Sequence, residues 1–177
     1  MVPINRILHL HDLALWLNTL PNKTSINAFT AASIYSLPLI QWIHILGSAL
    51  ICGTVILIGL RMMGLLSFSP PLAQMARRLL PWTWLAIVVN VITGVVMVLD
   101  RPTRALDSFT FPYSVLFVLV GTILSIYFAI TLRGDPGYWD KPGGRRTASR
   151  VLGTLTVLLW VGVIVGDRLI VYTGGAR

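Results

Sequence analysis

The sequence predicts an all-α integral membrane protein: a four-helix transmembrane bundle preceded by an N-terminal amphipathic helix at the membrane interface. Three observations lead there. Charged residues make up 11% of the chain, against about a quarter in a soluble domain. Hydrophobic residues make up 55%, and the mean hydropathy is +0.79. Four predominantly apolar segments are each long enough to cross a hydrocarbon core of roughly 30 Å, which takes about 20 residues. Nothing alternates with the period of a barrel strand, so helices are the one way to satisfy the backbone in lipid.

The spans fall at about 37–60, 81–99, 112–132 and 151–172, and all 177 residues read as one transmembrane domain. Pro38, Pro81 and Pro112 stand near span starts, where a missing N–H costs nothing. Trp82 and Trp84 follow as interface anchors. Residues 4–20 are a different element. On a helical wheel Asn5, His9, Asp12, Trp16 and Thr19 line one side, while Ile4, Ile7, Leu8, Leu10, Leu13, Leu15 and Leu17 cover much of the rest. Such a helix is too short and too polar on one side to span, and lies at the interface instead. Its apolar stretch is broken by His9, His11 and Asp12, so it does not read as a cleavable signal peptide.

The net charge of +8 calls for no nucleic acid, because basic residues flanking membrane spans are the ordinary source of such an excess. Their distribution orients the chain. The N-terminal region (Arg6, Lys23), the second loop (Arg101, Arg104) and the C-terminal end (Arg168, Arg177) together carry six of the 14 basic residues. The first loop (Arg61, Arg77, Arg78) and the third (Arg133, Lys141, Arg145, Arg146, Arg150) carry the other eight. This bias places loops one and three in the cytoplasm and both termini outside.

Alternating spans bring some polar residues to one depth. His44 stands roughly 10 Å below the outer surface and Asp167 roughly 8 Å, at 1.5 Å per residue. Met97, Asp100 and Arg101 end the second span at that level, and Tyr113 and Ser114 open the third. The outer half of the bundle is therefore expected to gather His44, Met97, Arg101 and Asp167, with Asn90 nearer the middle. Helical facing agrees: Gln41, His44, Ser48 and Cys52 share one face, Asn90, Gly94, Met97 and Arg101 another, and Gly153, Thr156, Trp160, Val163 and Asp167 a third. Faces of small and weakly polar residues are the ones helices pack together in membranes.

An ionisable group at this depth has a reason to be there. For His44 three stand open: a ligand to haem b or copper, a neutral imidazole hydrogen-bonded to Asp167 or Asn90, and a proton relay. As a metal site, His44 would draw second ligands from Met97, or from His9 or His11 if the N-terminal helix folds over the outer face. Asp167 would pair with Arg101, accept from His44, or orient the imidazole as the carboxylate behind a ligand. If His44 is a haem ligand, Arg101 or Arg168 could also meet a propionate. Cys52 is the one cysteine, which rules out an internal disulfide and a Cys-x-x-Cys pair. The sequence holds no nucleophile beside a base, no paired-carboxylate site and no His-Glu-x-x-His motif.

The runs "LPLIQWIHILGSALICGTVILIGLRMMGL", "LAQMARRLLPWTW" and "LLWVGVIVGDRLIVY" resemble a family of small bacterial inner-membrane proteins known only as a domain of unknown function. The resemblance covers about Leu13 to Tyr172. It rests on His44, Arg61, the stretch Arg77 to Trp84, and Gly166 to Arg168. It implies a multi-pass protein of the bacterial inner membrane but no activity. More distantly, "HILG" early in a first span is similar to four-helix copper-resistance membrane proteins and to small haem-binding membrane proteins, which implies redox or metal handling. The chain departs from the family in "FTFPYSVLFVLVG", where a basic residue is expected near the start of the third span. Two functions are expected from all this, and a third, a small enzyme or transporter acting within the bilayer, rests on His44 and Asp167 alone. One is a non-catalytic subunit or scaffold that packs against other membrane-protein subunits in the lipid bilayer. The other is a haem- or copper-binding redox component centred on His44.

Overall fold

A computed structural model describes residues 9–20, 28–30, 33–66, 71–140 and 144–173. Residues 4–8 of the expected interfacial helix, and Arg6, Lys23, Lys141 and Arg177 of the charge count, lie outside the described residues. The described helices are α1 (Leu10–Thr19), α2 (Ser36–Met63), α3 (Leu72–Asp100), the short α4 (Pro102–Leu106), α5 (Phe111–Gly134) and α6 (Gly144–Thr173). A 3-10 turn, Tyr138–Asp140, lies between α5 and α6. Helices α2, α3, α5 and α6 are each long and apolar enough to cross a membrane, so the protein is an all-α, multi-pass membrane bundle.

Each of the four spanning helices outruns the apolar stretch that marks it in the sequence, because the backbone stays helical past the last lipid-facing side chain. The largest difference is at Pro81. It does not open its helix but lies inside α3, which begins at Leu72. A proline there leaves the Arg77 carbonyl without its N–H partner four residues on. Membrane helices tolerate this where water or neighbouring groups satisfy the freed carbonyl. The end of α2 follows helix-stop chemistry. Gly64 takes a left-handed φ of 79°, and the Leu65 N–H returns to the Leu60 carbonyl at 3.0 Å, a closure that glycine makes without strain.

The closest helix pairs are α2 with α3, α2 with α6, and α5 with α6. All three run antiparallel, as their contacts show. Along α2–α3 the bonded pairs are His44–Thr93, Ser48–Asn90 and Thr54–Thr83. Along α2–α6, His44 meets Asp167 while Gly59 meets Gly153. Along α5–α6, Ser114 lies on Gly166, Phe117 on Gly162 and Trp160 on Gly121. Glycines set these approaches, since each gives a facing side chain or backbone the space a Cβ would fill. Two buried clusters fill the interior. One holds Ile51, Val55, Ala86, Ile87, Trp160 and Val163. The other, towards the 3-10 turn, is built on Ile58, Met62, Leu72, Phe128 and Trp139. Trp139 closes that end of the bundle: its indole N–H donates to Thr131 Oγ1 at 3.0 Å, and Tyr138 packs edge-on against its ring at 4.9 Å. Large apolar side chains such as Trp42, Leu46, Ile92, Ile123 and Leu158 point outward, as a lipid-facing surface requires.

Helix α1 is too short to cross a bilayer and packs on α4. Ala14 is fully buried there, and His11 Nδ1 lies 3.0 Å from Asp107 Oδ1. His9, Asp12, Trp16 and Thr19, the predicted polar side, are all exposed. Leu13 and Leu15 are exposed as well, while Leu10 and Leu17 turn inward.

Candidate functional site

The polar centre of the bundle lies in its α4-side half, around His44. Thr93 fixes the ring. Its hydroxyl lies 2.8 Å from the Val89 carbonyl and 3.2 Å from that of Asn90, so its one proton goes to its own helix, as threonine does inside helices. His44 Nδ1, 2.8 Å from Thr93 Oγ1, must then supply the proton of that bond. This assigns the Nδ1–H form from the partners and leaves Nε2 as the nitrogen facing the interior. Nε2 lies 3.8 Å from Asp167 Oδ2 on α6, too far for a direct hydrogen bond, and the two attract only when Nε2 also carries a proton. Gly94 makes room for the ring, since a Cβ on it would meet His44 Cε1 at 3.5 Å.

One turn deeper, Asn90 grips the backbone of α2. With its NH2 donating to the His44 carbonyl at 2.9 Å, its oxygen accepts from Ser48 Oγ at 2.8 Å and from the Ser48 N–H at 3.3 Å. The reverse orientation sets two acceptors against each other, so this one holds. Gly47 allows the approach, with the Asn90 side chain lying where its Cβ would stand. Deeper still, Thr83 donates to Thr54 Oγ1 at 2.8 Å. Three successive polar contacts thus tie α3 to α2.

Of the residues the sequence singles out, the structure brings His44 and Asp167 together. Met97 is half-buried one turn beyond Thr93 on the same face of α3. Arg101 turns elsewhere: it is exposed, with Nε 3.4 Å from Asp100 Oδ2. Asp100 in turn accepts from Thr30 Oγ1 at 2.7 Å. The expectation of a direct Arg101–Asp167 pair therefore gives way to a pair of chain neighbours, because Arg101 follows the last residue of α3. The two N-terminal histidines are also committed: His9 Nδ1 is 3.0 Å from Asp12 Oδ2, and His11 is held by Asp107. Among the described residues no three His, Cys, Asp or Glu side chains gather around one point.

Sequence reasoning missed Thr93, Ser48 and Thr83 as partners. A signal was present, since Thr83 and Asn90 are seven residues apart and so share a face of one helix. A threonine in an apolar run reads as filler until the facing helix is known. A small cavity of about 30 Å³ lies in the opposite half, where Gly59, Thr83, Ser125 and Gly153 bring all four spans to its wall. Ser125 Oγ donates to the Gly121 carbonyl of its own helix at 2.8 Å, and the one proton of Thr83 goes to Thr54. The space holds a water or two at most.

No family model, curated protein or solved structure matches the chain.

Proposed function

We propose that this protein is a small, non-catalytic, multi-pass subunit that assembles with other membrane proteins. One observation carries the reading: the polar side chains along the α2–α3 seam are spent on joining helices. His44, Asn90 and Thr83 each bond across the α2–α3 seam. Polar contacts of this kind serve as interhelical glue in membranes. The arginine bias and the family resemblance support placing the chain in a bacterial inner membrane with both termini on the periplasmic side. The native mass of the protein in mild-detergent extracts of its own membranes tests the subunit role. A mass well above that of the purified chain in the same detergent is expected. Migration of all the protein as the isolated chain would sink it.

A second reading, metal binding at His44, is favoured by the ring's geometry. A ligating histidine typically donates its other ring N–H to a fixed partner, and Thr93 holds Nδ1–H that way. His44 Nε2 and Asp167 Oδ2, 3.8 Å apart, would be the residues to hold a copper ion, which would supply redox chemistry there. Met97 would complete such a site as a soft donor. Metal analysis and an optical spectrum of the purified wild type and His44→Ala decide it: metal that is lost in the variant supports the site, and a metal-free, colourless wild type removes it.

A further inference from the structure

We infer that the bundle end opposite α4 binds the phosphate of an anionic phospholipid, held by Arg61 and Arg150 around the Gly64 turn. The charge there is one-sided. Arg61, Arg77, Arg78, Arg133, Arg146 and Arg150 all stand near this end of the four spans, with Asp135 and Asp140 as the acids nearby. Asp135 is spent on its own turn, where Oδ1 accepts from the Gly137 N–H at 3.1 Å. Among the described residues none of these arginines forms an ion pair.

Arg61 is the distinctive member. Its Nη1 donates to the Leu66 carbonyl at 2.8 Å, which locks the guanidinium against the turn that ends α2. Its Nε is buried and has no hydrogen-bond partner among the described residues. A buried, unpaired donor on a charged group calls for an acceptor. The edge that carries Nε is also one that grips an oxyanion with two parallel bonds. Arg150 supplies the second arm. The start of α6 is fastened to the end of α2 by Ser149, which is 2% exposed and donates to the Met62 carbonyl at 3.4 Å. That contact sets Arg150 beside the same turn, with Nη2 3.8 Å from where a Cβ on Gly64 would stand. Glycine at this position leaves the turn bare beside Arg150.

The occupant follows from place and charge. These arginines stand at the ends of membrane-spanning helices, where the nearest abundant oxyanions are lipid phosphates. Basic pockets between spans are the usual seats of such headgroups. This inference holds whether the protein acts as a subunit or as a metal carrier.

The test is lipid retention by the full-length protein, reconstituted in equal parts phosphatidylcholine and phosphatidylglycerol, then extracted and analysed by native mass spectrometry. Retention of phosphatidylglycerol well above phosphatidylcholine is expected. Arg61→Gln and Arg150→Gln should each cut that preference about fivefold, the effect of one basic residue at a membrane surface. Arg61→Lys, which keeps the charge and loses the two-pronged edge, should fall between. Arg168→Gln, beyond Asp167 near the other end of α6 and outside this seat, should cut the preference less than either. Arg150 is exposed, so its variant keeps the test alive if Arg61→Gln does not fold. Equal retention of the two lipids, or a preference untouched by both glutamine variants, overturns the inference. Inorganic phosphate displacing the lipid at matched concentration overturns the lipid assignment.

Discussion

Gly153→Ala should loosen the bundle at the point where α2 and α6 cross most tightly. A Cβ on Gly153 would stand 2.9 Å from Met62 Cβ and 3.0 Å from the Gly59 carbonyl oxygen. Neither neighbour can turn away, because one is itself a Cβ and the other is backbone. Ordinary contact begins near 3.4 Å, so the helices must part by about half an ångström along this line. Overpacking of this kind costs about 1–3 kcal/mol. Two effects offset it little. Alanine favours a helix over glycine by about 1 kcal/mol, but a membrane helix stays helical when the bundle opens, so most of that gain appears on both sides of the equilibrium. The added methyl also gains little by leaving lipid for protein, since lipid tails are as apolar as the core. A net loss of about 1–2 kcal/mol is expected, a five- to thirtyfold shift. The assay is reversible unfolding in mixed micelles of rising SDS fraction, followed by near-UV circular dichroism. Gly53→Ala is the control, because nothing lies within 4 Å of a Cβ there. If Gly153→Ala unfolds at the same SDS fraction as Gly53→Ala, the α2–α6 crossing is not where the structure puts it.

Three further outcomes follow from the same geometry. Thr83→Val keeps the shape and removes the donor to Thr54; it should cost about 0.6 kcal/mol and no more than about 1.7 in the same micelle assay, and no loss would show that the hydroxyls do not meet. A double-mutant cycle of His44→Ala and Asp167→Asn should show a coupling of at least about 0.5 kcal/mol, whereas additive effects would place the carboxylate out of reach of the ring. In a Cys52→Ala background, single cysteines at Asn18 and Thr103 should react with a membrane-impermeant maleimide from one side of the membrane, and cysteines at Arg133 and Arg146 from the other; labelling of Asn18 and Arg146 from the same side would break the topology.

The site shows where reading from the chain succeeds and where it stops. His44 and Asp167 are recognisable as residues that need a partner, because an ionisable group in an apolar run is costly. Counting residues from the ends of alternating spans also brings the two to one level. Thr93 is not recognisable in that way. Its role depends on which face of α3 meets α2, and weakly polar positions recur on more than one side of that helix. Arg101 shows the opposite limit: depth places it near Asp167, yet it stands past the last turn of α3 and meets Asp100 instead.

The class of this protein, its four membrane helices and the shared depth of His44 and Asp167 are legible in the chain alone. Those properties depend on transfer from water to lipid, which each segment undergoes on its own. Tertiary structure alone decided which helices touch, that His44 is held by Thr93, that α1 rests on α4, and that Gly59 and Gly153 face each other. Packing in lipid lacks a hydrophobic force between helices and turns on close shape fit and single hydrogen bonds. Such terms involve two surfaces at once, and the pattern along one chain segment does not reveal the second.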